Sequence, residues 1–152
     1  MDLDKTDKKI LKILQQNGRI RNLDLADTIG LSNTPCAKRV KRLEDTGVIS
    51  GYQAIVNPDA AGKYVSAFVL MQIGSNTREA ANRFAEEIKG ILAVTECYMT
   101  TGSLDYIARI HANSLSDYEA VIKDELGKIK DIVKLETLII LNNIVSTRGI
   151  SI

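Results

Sequence analysis

The sequence predicts an α+β protein in two parts, and three patterns predict it. Residues 3–46 fall into three short stretches of helical periodicity separated by glycine-bearing turns. Residues 64–141 alternate strand-like and helix-like runs in the order βαββαβ. Between the two, Asn57-Pro58-Asp59 is a turn signal, and Ala60-Ala61-Gly62-Lys63 follows without periodicity. The expected architecture is a winged helix-turn-helix at the N-terminal side and a ferredoxin-like sandwich after it. The domain limits are 1–52 for the first, 53–63 for a β-strand and linker, 64–141 for the second and 142–152 for a tail.

The first helix is expected within residues 3–20. Leu3, Ile10, Ile13 and Leu14 form its apolar stripe, Asp4 and Asp7 its acidic start, and Asn17-Gly18 its stop, with glycine taking a left-handed conformation. A second helix spans 22–29, with Asn22 as cap and Gly30 as breaker. The third runs from Asn33 to about Thr46, with Ser32 as cap and Pro35 in the first turn, where its missing N–H costs nothing. At ~100° per residue, Val40 and Leu43 fall within about 40° of Cys36 and make a narrow buried seam. Lys38, Lys41 and Arg42 then point away from that seam, with Arg39 on its shoulder. Gly47 to Tyr52 reads as a helix stop and a short strand, with residues 53–56 as its return partner in a wing.

Those cations stand out in a chain of 152 residues and net charge +1. Residues 1–50 hold ten Lys and Arg against seven Asp and Glu, a net of +3; the remainder holds ten against twelve, a net of −2. On the second helix of a helix-turn-helix, an outward cationic ridge behind a polar first turn suits a DNA major groove. The expected DNA-facing set is Ser32, Asn33, Thr34, Pro35, Lys38, Arg39, Lys41 and Arg42.

In the second part, 64–73 reads as a strand and 77–90 as a helix bearing Ala81, Phe84 and Ile88. Residues 94–101 and 106–112 read as strands joined by Gly102-Ser103-Leu104-Asp105. Residues 116–128 read as a helix with a Ser116…Glu119 capping box, and 133–141 as the last strand. Phe68 and Leu70 oppose Val65, Ala67, Val69 and Met71; Leu138 and Ile140 oppose Leu135, Ile139 and Leu141. A sheet with helices on one face should be polar on the other. Two apolar faces predict a homodimer packed sheet against sheet, which sets two heads on a two-fold axis over a pseudo-palindromic duplex.

Other chemistries find little support. The sole histidine, His111, sits in a strand pattern, and no nucleophile–base pair, phosphate loop or metal-ligand spacing is present. The reading is therefore no enzyme, no catalytic residue, no cofactor and no metal. Cys36 and Cys97 lack C-x-x-C spacing and suit a reducing cytoplasm. No apolar run approaches ~18 residues and the opening MDLDKTDKKI has no signal core, so no membrane partner is expected. No aromatic-rich strand suits RNA stacking.

The residues resemble the Lrp/AsnC family of bacterial and archaeal regulators, also called feast/famine proteins. The likeness is carried by Leu3-Asp4…Asp7…Ile10-Leu11, Gly18-Arg19-Ile20, Leu31-Ser32…Thr34-Pro35-Cys36, Arg39-Val40…Arg42-Leu43-Glu44, Gly47-Val48-Ile49…Gly51-Tyr52 and Gly102…Asp105-Tyr106. It implies a transcription regulator whose dimers assemble into tetramers, octamers or hexadecamers, with an amino-acid effector held where dimers meet, near the turn between the second and third strands of the second part. The matching positions are Thr101, Gly102, Asp105 and Tyr106, with Thr137 and Ile139 as neighbours. Many members carry an acidic residue where this chain has Ser103. Chemically, Asp105 can accept from an ammonium group, and the Gly102 backbone with the Thr100 or Thr101 hydroxyl can donate to a carboxylate. Gly and Asp are also ordinary hairpin-turn residues. An architectural DNA-compacting protein without metabolite input is the alternative.

Overall fold

The structure is a computed structural model and describes residues 2–75, 77–145 and 149–152. It divides into two units: Met1–Ile55 with Ile144–Ile152, and Val56–Asn143. The expected tail, 142–152, is divided between them: from Ile144 onward it groups with the helical unit, where the Gln15 Nε2 amide donates to the Ile150 carbonyl at 3.2 Å.

In the first unit, helices α1 (Lys5–Gln16), α2 (Asn22–Ile29) and α3 (Asn33–Asp45) enclose a small core. Ile10 and Leu11 enter it from α1, Leu25 and Ala26 from α2, Cys36 and Leu43 from α3. A reciprocal capping box starts α1: the Asp7 N–H donates to the Asp4 carboxylate at 2.8 Å, and the Asp4 N–H to the Asp7 carboxylate at 3.3 Å. Gly30, at φ 74°, closes α2 and lets the Leu31 N–H return to the Ala26 carbonyl at 2.9 Å.

Three local expectations are corrected here. Gly18 does not adopt a left-handed conformation; a Cβ there would lie 3.2 Å from the Tyr52 ring, so close approach is what favours glycine. Asn22 is the first helical residue of α2 rather than its cap, and its amide reaches α3 instead. The paired strands expected over 48–56 do not form. The Ile49 N–H is taken by the Leu43 carbonyl at 2.9 Å, which draws that segment onto the helices. The following residues form no strand, and Ile55 and Val56 are exposed; a lone two-stranded ribbon is marginal in water.

The second unit has the expected βαββαβ order. Strands β1 (Val65–Ile73), β2 (Val94–Met99), β3 (Tyr106–Ala112) and β4 (Ile132–Ile139) form one antiparallel sheet in the order β2-β3-β1-β4. Helix α4 (Arg78–Lys89) is capped by Thr77, which accepts from the Ala80 N–H at 3.2 Å. Helix α5 (Leu115–Ala120) is followed by a π turn, Val121–Glu125, and a 3-10 turn, Leu126–Lys128. Its cap is Ser114, accepting from the Asp117 N–H at 3.1 Å, so the box expected at Ser116 starts two residues too late. Ala67, Val69, Met71 and Ile73 of β1 are buried with Phe84, Ile88, Tyr118 and Leu126. Phe68 and Leu70, on the opposite face, are half-buried, and Leu138 is exposed.

Candidate functional site

Helix α3 is anchored by its seam, since Cys36 and Leu43 are wholly buried. Ser32, Asn33, Thr34 and Pro35 are exposed at its start, as are Lys38 and Lys41 further along. Burial lifts the Cys36 thiol above its ordinary pKa, as befits a packing residue. Ser32 occupies the cap position in extended conformation without a side-chain cap bond. Asn22 donates to the Asn33 backbone carbonyl at 3.0 Å and also bonds the Asn33 side-chain oxygen, tying α2 to the first turn of α3. Lys41 lies 3.7 Å from Asp45 one turn on, an exposed and weak pairing.

Arg39 and Arg42 behave otherwise. The Arg39 Nη1 group donates to Asp4 Oδ2 at 2.6 Å and to Asp7 Oδ1 at 2.8 Å. The Arg42 Nη2 group donates to Asp7 Oδ2 at 2.6 Å. Asp7 is 1% exposed. Arg42 is exposed, in line with the outward direction expected for it, yet its long side chain lets one guanidinium nitrogen turn back to a buried carboxylate. The Asp4 carboxyl is held below its ordinary pKa, first by the Asp7 N–H and then by Arg39. Asp7 is the residue that sequence reasoning passed over as a simple acidic start. Two arginines three positions apart on a facing helix were the available signal.

Tyr52 ties the segment after α3 back onto it. Its hydroxyl donates to Glu44 Oε1 at 2.9 Å, and its pKa is pushed up to about 12 by burial and then by Glu44.

In the second unit, the turn after β2 is built largely from its own polar groups. The Thr100 N–H donates to the Asp105 carbonyl at 2.8 Å, and the Thr100 hydroxyl to the Leu104 carbonyl at 3.0 Å. Asp105 closes the neighbouring strand: its N–H donates to the Met71 carbonyl at 2.9 Å, and its Oδ2 accepts from the Ile73 N–H at 2.8 Å. Thr101 and Gly102 are exposed, and Gly102 sits at φ 137°, which disfavours any other residue. Tyr106 points into the core, its ring 4.2 Å from that of Phe84.

Thr137 and Ile139 do not join this turn within one chain. By register they pair with Val69 and Ala67, whereas Tyr106 pairs with Met71 on the other side of β1. Two strand spacings, ~10 Å, therefore separate them from β3. The Thr137 hydroxyl shares a 2.7 Å hydrogen bond with Tyr118.

His111 lies at the far end of β3 from Tyr106, its Nδ1 2.8 Å from the Ser66 hydroxyl. Burial lowers its pKa, and Arg109 adds to the effect. A cavity of about 510 Å³ at that end is bordered by Pro58, Lys63, Leu92, Thr95, His111 and Glu125. Arg109 lies over Phe68, 5.8 Å from the ring centre, and its buried Nε makes no hydrogen bond among the described residues.

A helix-turn-helix with an exposed first turn and cationic ridge, followed by a βαββαβ sandwich, defines a two-part DNA-binding regulator. Comparison with known proteins gives the same class. Residues 3–50 match a winged helix-turn-helix DNA-binding family, and residues 66–150 the Lrp/AsnC ligand binding domain. The chain is 32% identical to the proline dehydrogenase transcriptional activator of Rhizobium radiobacter, over 96% of this chain and 94% of that protein. It is 32% identical to the leucine-responsive regulatory protein of Haemophilus influenzae, over 95% and 87%. Among solved structures, a transcriptional regulator from Neisseria meningitidis in complex with L-methionine superposes with a TM-score of 0.93 at 30% identity, covering 99% of this chain and 97% of that one. The chain belongs to the Lrp/AsnC family, and it is a DNA-binding transcription regulator of that type.

Proposed function

We propose that the protein binds a pseudo-palindromic duplex as a symmetric homo-oligomer in the cytoplasm, without catalysis, and that a small effector, an amino acid, modulates its binding or assembly. One observation carries the DNA reading. Helix α3 keeps Cys36 and Leu43 in the core while Ser32 to Pro35, Lys38 and Lys41 stand in water. Base edges would meet the first turn, and phosphates the lysines. The apolar outer face of the sheet, with Phe68, Leu70 and the exposed Leu138, supports pairing of two copies. The L-methionine complex of the Neisseria regulator supports an amino-acid effector here. Thr101, Gly102 and Asp105 Oδ1, which makes no hydrogen bond among the described residues, would offer it donors and an acceptor, and Thr137 and Ile139 can contribute only from another copy.

Salt titration of duplex affinity tests the first part. The Lys38→Ala, Lys41→Ala pair should lower the slope of log affinity against log salt by up to about 1.8, at about 0.9 per phosphate contact. An unchanged slope overturns the DNA-facing assignment. For the effector, Asp105→Asn is the proper probe, because it keeps an oxygen for the Ile73 N–H while removing the charge. Calorimetry with the twenty amino acids should show a response in the parent chain and lose it in the variant. A parent that responds to none of them supports the architectural alternative.

A further inference from the structure

The geometry points to Asp7 as the residue that positions the DNA-facing helix, with Arg39 and Arg42 as its clamps rather than as phosphate contacts. This rests on the reading of α3 as the helix that meets DNA.

Asp7 is the one charged side chain fully buried among the described residues. A carboxylate removed from water is costly unless opposite charge and hydrogen bonds replace its hydration. Here both oxygens are satisfied, Oδ1 by Arg39 at 2.8 Å and Oδ2 by Arg42 at 2.6 Å, with the Asp4 N–H also on Oδ2 at 3.3 Å. Arg39 and Arg42 lie three positions apart, so their side chains leave the same flank of α3. A single acid on α1 thus grips α3 at two points along its length. One contact would fix a distance. Two contacts on different turns also resist sliding and rotation of α3 about its own axis.

The charge balance follows directly. Asp4 and Asp7 offset Arg39 and Arg42, so this cluster adds no net charge to the field facing a duplex. Lys38 makes no ion pair among the described residues, and Lys41 only the loose one to Asp45. Phosphate neutralisation by α3 therefore falls to the two lysines, and sequence discrimination depends on the angle at which Asp7 holds the first turn.

Full-length chains carrying Lys38→Gln, Arg42→Gln or Asp7→Asn decide this against two probes. One is a mixed-sequence duplex; the other is the tightest duplex that the parent chain selects from a random pool. Lys38→Gln should lower the salt slope by about 0.9, whereas Arg42→Gln should leave it unchanged. Asp7→Asn should keep or raise affinity for the mixed duplex, because two guanidiniums lose their counter-charge. The same change should cut the preference for the selected duplex tenfold or more. A merely structural role would lower both affinities together, through the folded fraction, and leave their ratio intact. A slope loss in Arg42→Gln equal to that in Lys38→Gln overturns the proposal, as does an intact preference in Asp7→Asn. If Asp7→Asn does not fold, the Arg42 and Lys38 slopes decide alone. An unchanged slope in Lys38→Gln instead removes the DNA-facing reading of α3 itself.

Discussion

The two units of this chain are held together by different physics. The βαββαβ unit buries fifteen residues in one apolar cluster, including Phe84, Met71, Tyr118 and Leu126, beneath a four-stranded sheet. Among the described residues the helical unit's cluster buries six, alanine and cysteine among them, and an ionic cluster of two acids and two arginines supplements it. Small domains bury a smaller share of their surface and have less apolar area to work with. Directional charge contacts in the helical unit supply orientation that six apolar residues define loosely. The sheet unit should therefore respond to lost volume, and the helical unit to lost charge.

Phe84→Ala tests the volume side most severely. It empties a buried, ring-stacked position and should cost about 3–5 kcal/mol in chemical denaturation of the sheet unit. A cost below about 1 kcal/mol would break the contrast between the units. Asp105→Ala comes next, at about 1–3 kcal/mol, because it leaves the buried Ile73 N–H without an acceptor. The Asp105→Asn variant should be close to neutral in the same assay. Ser114→Ala should cost about 1 kcal/mol through its lost cap, and Ser116→Ala only a few tenths; equal costs would return the cap to Ser116.

The smallest effect is in pH. His111 has a lowered folded pKa, from burial first and Arg109 second, with Lys63 acting alike and Glu96 opposing. The unfolded chain then binds the extra proton, so the sheet unit loses stability as pH falls below the ordinary histidine value of 6.5. Asp4 is also depressed, but as an acid. Its contribution is present above 3.8 and is lost as pH falls through the lower folded value. Melting followed by hydrogen exchange should show the sheet unit weakening first on acidification. The reverse order would contradict both assignments.

What could be read from sequence follows the range of the interactions. Helix α2 and strand β3 have the expected limits, 22–29 and 106–112, because periodicity and flanking glycine or serine are local signals. The strand order of the sheet follows from the βαββαβ succession. Asp7 with Arg42 could not be read that way, since the pair spans 35 positions and periodicity reports only which way a Cα–Cβ bond leaves the helix. The helical wheel set Lys38, Lys41 and Arg42 away from the seam, with Arg39 on its shoulder about 60° from Arg42. The directions were visible; the carboxylate between the two arginines was not. The turn at 100–106 was legible as a turn, but its threonine and aspartate could not be divided between closing the fold and greeting a ligand until their partners were seen. Asp105 does the former with Oδ2, which accepts from the Ile73 N–H.

The bond from Gln15 to the Ile150 carbonyl joins groups 135 positions apart within one unit. During synthesis the three helices leave the ribosome early, while this stitch waits until the whole sheet has been translated. A nascent head can thus be helical yet unfinished until the chain has passed Ile150.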